Sequence, residues 1–181
     1  MNPRNVIFLL MLSLAFVSCV DQAEHEKKFK SKIAEMKAAE DAKLKAVVQN
    51  FYDQLSTTPD EGSAAKAGTY MVDGWVSTPT PPGGPALEGF VKTLNMFHGM
   101  IPDLKWEVQE MLVDGNRVIV RSQASGTPNS PEGYFYGVPT NGSKSFDVMT
   151  IDIHTVEDGK IVTSYHMEDW ITATQQVAPS N

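Results

Sequence analysis

The chain has 181 residues, a net charge of −7 at pH 7 and one cysteine. An acidic chain without basic clusters argues against nucleic acid as a partner, and a lone cysteine cannot form an internal disulfide. There is no Cys/His ligand cluster, phosphate-cradling glycine loop or dinucleotide fingerprint, so no metal and no cofactor is expected.

Val6 to Val17 is an apolar run, preceded by Arg4 and followed by Ser18-Cys19. It is shorter than the roughly 20 apolar residues that span a bilayer. It fits the h-region of a secretory signal. Small Ser18 before Cys19 resembles a bacterial lipobox, although Phe16 stands where leucine is usual. The expectation is a signal peptide over residues 1–19 and lipidation at Cys19. That makes a cell-envelope lipoprotein outside the cytoplasm, on the outer membrane facing the periplasm if the cell has one. Plain secretion with cleavage nearby is the alternative. Without residues 1–19 the chain carries −8.

Residues 20–43 read as a charged helical stalk. Glu24–Lys28, Glu26–Lys30 and Asp41–Lys45 are favourable i,i+4 pairs. Phe29, Ile33, Met36 and Ala39 form a stripe that is marginal for a self-pairing coiled coil. Leu44, Val47, Val48, Phe51 and Leu55 continue the stripe with more apolar weight. The folded domain is therefore placed at residues 44–177, with a short tail at 178–181. Thr58-Pro59-Asp60-Glu61 predicts a capping box and a second helix reaching about Tyr70. Trp75 and Val76 lead into a Pro/Gly loop from Ser77 to Gly84. Leu87, Phe90, Val91, Leu94, Phe97 and Ile101 keep helical spacing, which predicts a third helix over Leu87 to Met100. His98 sits on its apolar face.

From Lys105 onward the apolar period becomes two. Trp106 to Val113 and Arg117 to Ser125 are predicted strands joined at Asp114-Gly115-Asn116. Phe146 to Val156 and Ile161 to Met167 form a second hairpin through Glu157-Asp158-Gly159-Lys160. A long loop, Gly126 to Ser145, carries Tyr134, Phe135 and Tyr136, and loops of that kind are often functional. Helices followed by consecutive antiparallel strands indicate an α+β fold with helices on one sheet face.

The chemistry is sought at the end of the last strand. Residues of one parity share a face, so Ile161, Thr163, Tyr165, Met167 and Asp169 are expected in one row. Apolar neighbours would raise the Asp169 pKa and suit it to acid–base work. The competing reading makes Glu168 or Asp169 the cap of a final helix. His166, of opposite parity, should point away from the pocket unless the strand bulges. His154 shares parity with Asp152 and Thr150, and either joins Asp169 or faces solvent. Trp75, Trp106, Tyr165 and Met167 read as core before recognition groups, although pockets are lined by residues of that kind. With His98, Tyr136 and Asp152, the residues Trp75, Tyr165 and Met167 complete the candidate pocket.

Three blocks then resemble the SnoaL-like polyketide cyclases, also called ester cyclases. They are Glu88-Gly89-Phe90 with Ile101-Pro102-Asp103-Leu104, Gly133 to Gly142, and Gly159-Lys160-Ile161 running to Glu168-Asp169-Trp170 and Gln175-Gln176. The resemblance covers Leu44 to Gln176. It implies a nuclear-transport-factor-2-like cone: a curved antiparallel sheet around helices, with an internal pocket. It also implies Asp169 as catalytic base, with His154 near the position of a partner histidine. The implied reaction is cofactor-free proton abstraction beside a carbonyl, or intramolecular aldol cyclisation, on a small apolar molecule. Histidines that relatives carry are replaced here by Ser77 and Pro128, and residues Asn129 to Glu132 look inserted. A non-catalytic binder of a small apolar ligand is the alternative. A third reading is a lipoprotein that forms a homodimer through its sheet.

Overall fold

The computed structural model describes residues 3–130 and 132–179, with side chains from residue 22 onward. The signal peptide and Cys19 therefore lie outside the residues whose side chains are described. Among the described residues no helix is long and apolar enough to cross a membrane. The chain divides into two compact units at Ala42/Lys43, and helix α1 (Pro3–Leu55) contributes to both. In the first unit Glu24–Lys28, Glu26–Lys30 and Lys37–Asp41 pair across helical turns. Its Phe29, Ile33 and Met36 are exposed.

The second unit continues with α2 (Ser63–Tyr70), β1 (Met71–Thr78), α3 (Ala86–Met100), β2 (Lys105–Asp114) and β3 (Arg117–Gly126). A miniature hairpin follows, β4 (Tyr134–Phe135) and β5 (Val138–Pro139), then β6 (Phe146–Glu157), β7 (Lys160–Glu168) and α4 (Trp170–Val177). Five strands form one mixed, curved sheet in the order β1-β7-β6-β3-β2. All its pairings are antiparallel except β1 with β7. Strand β1 was not expected, because Asp73-Gly74 interrupts its apolar residues Met71, Val72, Trp75 and Val76. Helix α2 starts later than the capping box predicts. Asp60 instead turns the chain, accepting from Gly62 N–H at 2.9 Å while Ser63 Oγ accepts from Asp60 N–H at 2.9 Å.

The core lies between the helices and the inner sheet face. Val48, Tyr52, Leu94, Ile101, Val118, Val120, Ala124 and Ile161 are fully buried there. Each large apolar side chain so buried contributes about 1.5–3 kcal/mol. The β6–β7 connection is the expected tight turn. Asp158 and Gly159 both hold positive φ, 49° and 75°, as a two-residue hairpin of this twist requires.

One irregularity decides which side chains reach the site. Val156 pairs with Ile161 and Thr155 with Thr163, so Val162 is an extra residue in β7. A bulge of one residue inverts parity beyond it. Ile161 therefore faces inward, but Tyr165 and Met167 are exposed on the outer face. Ser164, His166 and Glu168 turn inward instead.

Candidate functional site

A cavity of about 240 Å³ opens between the inner sheet face, α1, α3, the Pro-rich loop and the aromatic loop. Its walls are rich in aromatic side chains, with Phe51, Trp75, Phe90, Phe97, Trp106 and Trp170 among them. The Pro-rich loop supplies Pro79, Thr80, Pro81 and Pro82. That loop lies so close to α3 that a Cβ on Gly89 would fall on the Gly84 carbonyl oxygen. Tyr136 enters from the aromatic loop, with its backbone at φ 46° and its ring 5.5 Å from that of Trp170. Left-handed φ at a tyrosine is uncommon and concentrates at functional loops.

The polar groups sit together on one wall, brought there by strand register. Asp152 stands opposite His166, His154 opposite Ser164, and Thr150 opposite Glu168. Asp152 is buried, and its Oδ2 accepts the Tyr52 hydroxyl at 2.7 Å. Burial pushes its pKa up to about 7, with the nearby Glu168 adding to the rise and the Tyr52 hydrogen bond opposing it. A carboxyl poised near neutrality inside a cavity is suited to general acid–base chemistry. His154 is fully buried. Burial, and then the neighbouring His166, push its pKa down to about 3, so its ring stays neutral. His154 lies 3.0 Å from the Tyr52 hydroxyl through Nε2 and 2.8 Å from Ser164 Oγ through Nδ1.

His166 behaves in the opposite way. Its Nδ1 meets Glu168 Oε1 at 2.8 Å and its Nε2 meets the Pro79 carbonyl at 2.8 Å. Both partners are acceptors, so only the doubly protonated ring donates to both. Burial would lower its pKa, yet the bond to Glu168 and that carboxylate's charge raise it overall. Asp152, His166 and Glu168 could offer ligand atoms within 4.8 Å of one another. Here His166 is engaged by Glu168 and the Pro79 carbonyl, and Asp152 Oδ2 by the Tyr52 hydroxyl.

Several expectations are corrected by this geometry. Asp169 is not desolvated. It caps α4, its Oδ1 accepting the Thr172 N–H at 3.0 Å and its Oδ2 the Thr172 hydroxyl at 2.7 Å. Those bonds hold its pKa below the usual aspartate value. It lies in an apolar groove on the outer sheet face with Tyr165 and Met167, which the Val162 bulge has turned away from the cavity. His98 is buried, but its Nε2 is 2.9 Å from the Leu55 carbonyl, and the ring lines no part of the cavity. Trp75, Tyr136, Asp152 and His154 do line it.

His166, Glu168, Ser164, Ser77 and Tyr52 were missed. The alternation Ser164, His166, Glu168 was a polar row in plain view. Parity counted from Ile161 points this row away from the pocket, and the bulge at Val162 reverses that. Ser77 Oγ is buried against the cavity without a partner. Tyr52 carried no signal, since it stands beside a helical apolar stripe and reads as core.

A profile of the SnoaL-like polyketide cyclases matches residues 46–177. No curated protein matches the chain. Among solved structures it is similar to TsrD from Streptomyces laurentii, at 21% identity and TM-score 0.63, covering 75% of this chain and 95% of that one. A candidate polyketide cyclase from Bacillus cereus is similar at 26% identity and TM-score 0.59, covering 75% and 80%. A SnoaL-like polyketide cyclase from Agrobacterium tumefaciens is similar at 22% identity and TM-score 0.59, covering 75% and 98%. Likeness at such identities speaks for the fold.

Proposed function

The chain belongs to the SnoaL-like polyketide cyclase family, and from that premise we propose that its cavity carries out acid–base chemistry on a small, mostly apolar carbonyl compound. The observation that carries this reading is the Asp152 carboxyl. It lines an aromatic cavity, is held by Tyr52, and is shifted to a pKa of about 7. Family membership alone would not locate the chemistry, because function lives in the site and not in the fold.

In this reading Asp152, in its carboxylate form, takes a proton from the carbon next to a carbonyl. The electron pair moves onto the carbonyl oxygen as an enolate. In a molecule with a second carbonyl the enolate carbon closes a ring by aldol addition. The His166 cation lies in the same wall and favours the developing anion through its field. Its two N–H groups are already engaged, so it donates no hydrogen bond to substrate. The aromatic walls exclude water and bind flat apolar surface.

The test is hydrogen–deuterium exchange at the α-carbon of an aryl β-keto ester in deuterated buffer, followed by proton NMR. Wild type should exceed the buffer rate, and Asp152→Asn should fall to it while still binding the ester. Binding with no acceleration by wild type would refute the enzyme and favour a ligand-binding module.

A further inference from the structure

Behind Asp152 the buried polar groups form one continuous chain. Trp75 Nε1 donates to Ser164 Oγ at 2.9 Å. Ser164 Oγ meets His154 Nδ1 at 2.8 Å, His154 Nε2 meets the Tyr52 hydroxyl at 3.0 Å, and Tyr52 reaches Asp152 Oδ2 at 2.7 Å. Every member is buried. Asp152 and Ser164, at the two ends, both line the cavity, whereas Tyr52 does not.

The protons in this chain can be counted. A neutral histidine ring carries one N–H, and an indole only donates. With Asp152 ionised, Tyr52 donates to it, His154 donates from Nε2 to Tyr52, and Ser164 donates to His154 Nδ1. With the proton on Asp152 Oδ2, each of these bonds reverses. Asp152 then donates to Tyr52, Tyr52 to Nε2, and Nδ1–H to Ser164. In both arrangements Trp75 donates to Ser164, and in the second the Ser164 hydroxyl proton is released toward the cavity.

We propose that Tyr52, His154 and Ser164 form a proton wire joining Asp152 to a second point on the cavity wall. The wire rests on the reading of Asp152 as the base. From the second arrangement, the Asp152 proton passes to Tyr52 Oη while Tyr52 passes its own to His154 Nε2. The Nδ1 proton moves to Ser164 Oγ, and Ser164 gives its original proton to an oxygen of the bound molecule. Each bond to hydrogen that breaks is matched by one that forms. Asp152 becomes a carboxylate and the ring remains neutral, having exchanged one tautomer for the other. Tyr52 and His154 are thus positioning residues, acting through the groups at either end.

The groups that act on Asp152 are Tyr52 from α1, Thr150 from its own strand, and His166 and Glu168 from β7; His154 is joined to it through Tyr52 and is itself faced by His166. The test is a nitrogen-15 NMR titration of His154 with a carbon-13 titration of Asp152, on the wild-type protein without ligand. The expected result is an Nδ1–H tautomer at the acid end that gives way to Nε2–H with the midpoint of Asp152. In Tyr52→Phe, Asp152 should titrate while the His154 tautomer stays fixed. One tautomer throughout in wild type, or a change with a different midpoint, overturns the wire whether or not the variant folds. A switch that survives in folded Tyr52→Phe also overturns it. Neither readout needs turnover. A shared midpoint without α-carbon exchange leaves the wire and removes the enzyme, and exchange without the tautomer switch does the reverse.

Discussion

Replacing Asp152 by Asn keeps the size of the side chain and an oxygen to accept the Tyr52 hydroxyl, but removes the ionisation. In the folded protein the Asp152 pKa is about 7, against a value of 3.8 for a free carboxyl. The raised value means that the native state holds a proton which the unfolded chain has lost over that window. The stability associated with this proton is complete below the unfolded pKa and is lost as pH rises through the folded one. At 1.36 kcal/mol per pH unit the loss amounts to about 4 kcal/mol by mildly alkaline pH. His154 gives the opposite slope, since its folded pKa of about 3 makes the unfolded chain the better proton binder at acid pH. Wild type and Asn variant share that term, so their difference isolates Asp152. Urea unfolding of both at several pH values is the assay. The Asn variant should gain on wild type steadily between about pH 4 and pH 7, and level off above. Parallel stability curves would show that Asp152 is not desolvated and would remove the basis for its role.

In the α-exchange assay kcat/KM should rise with pH through a midpoint near 7, because the base must be ionised; a flat profile would exclude Asp152. Gly89→Ala should destabilise by about 1–3 kcal/mol, read by chemical unfolding, because its Cβ meets the backbone of Gly84 in the Pro-rich loop. A neutral result would mean that loop is not pinned to α3. Asp169→Asn should leave both stability and exchange nearly unchanged, whereas Asp169→Ala should lower stability alone through the lost cap; loss of exchange in Asp169→Asn would return catalysis to that residue. Cys19→Ser should release the protein from the membrane fraction if the Ser18-Cys19 pair is a lipidation site, and unchanged fractionation would reject the anchor.

Much of the architecture was legible because local signals agreed with one another. Leu87 to Met100 repeats with helical period and lies in α3. Asp158-Gly159 can adopt positive φ cheaply and closes β6 onto β7. The Glu88-Gly89-Phe90 block has a physical reason, since only glycine lets the Pro-rich loop approach α3. Strand β1 was not legible, because Asp73 and Gly74 weaken its pattern and its partner β7 lies far along the chain.

The site divides along the same line. The residue types present, an acid pair before Trp170 and an Asp/His pair on the preceding strand, follow from sequence alone. The expectation of acid–base chemistry in an apolar pocket rests on those residues together with the resemblance to the SnoaL-like cyclases. Which acid enters the pocket was decided by tertiary structure. A single extra residue, Val162, inverts the far half of β7. It sends Tyr165 and Met167 outward, and brings His166 and Glu168 in beside Asp152. A bulge leaves no mark on composition or period until the partner strand fixes the register, and Tyr52 meets Asp152 only when residues a hundred positions apart are packed together.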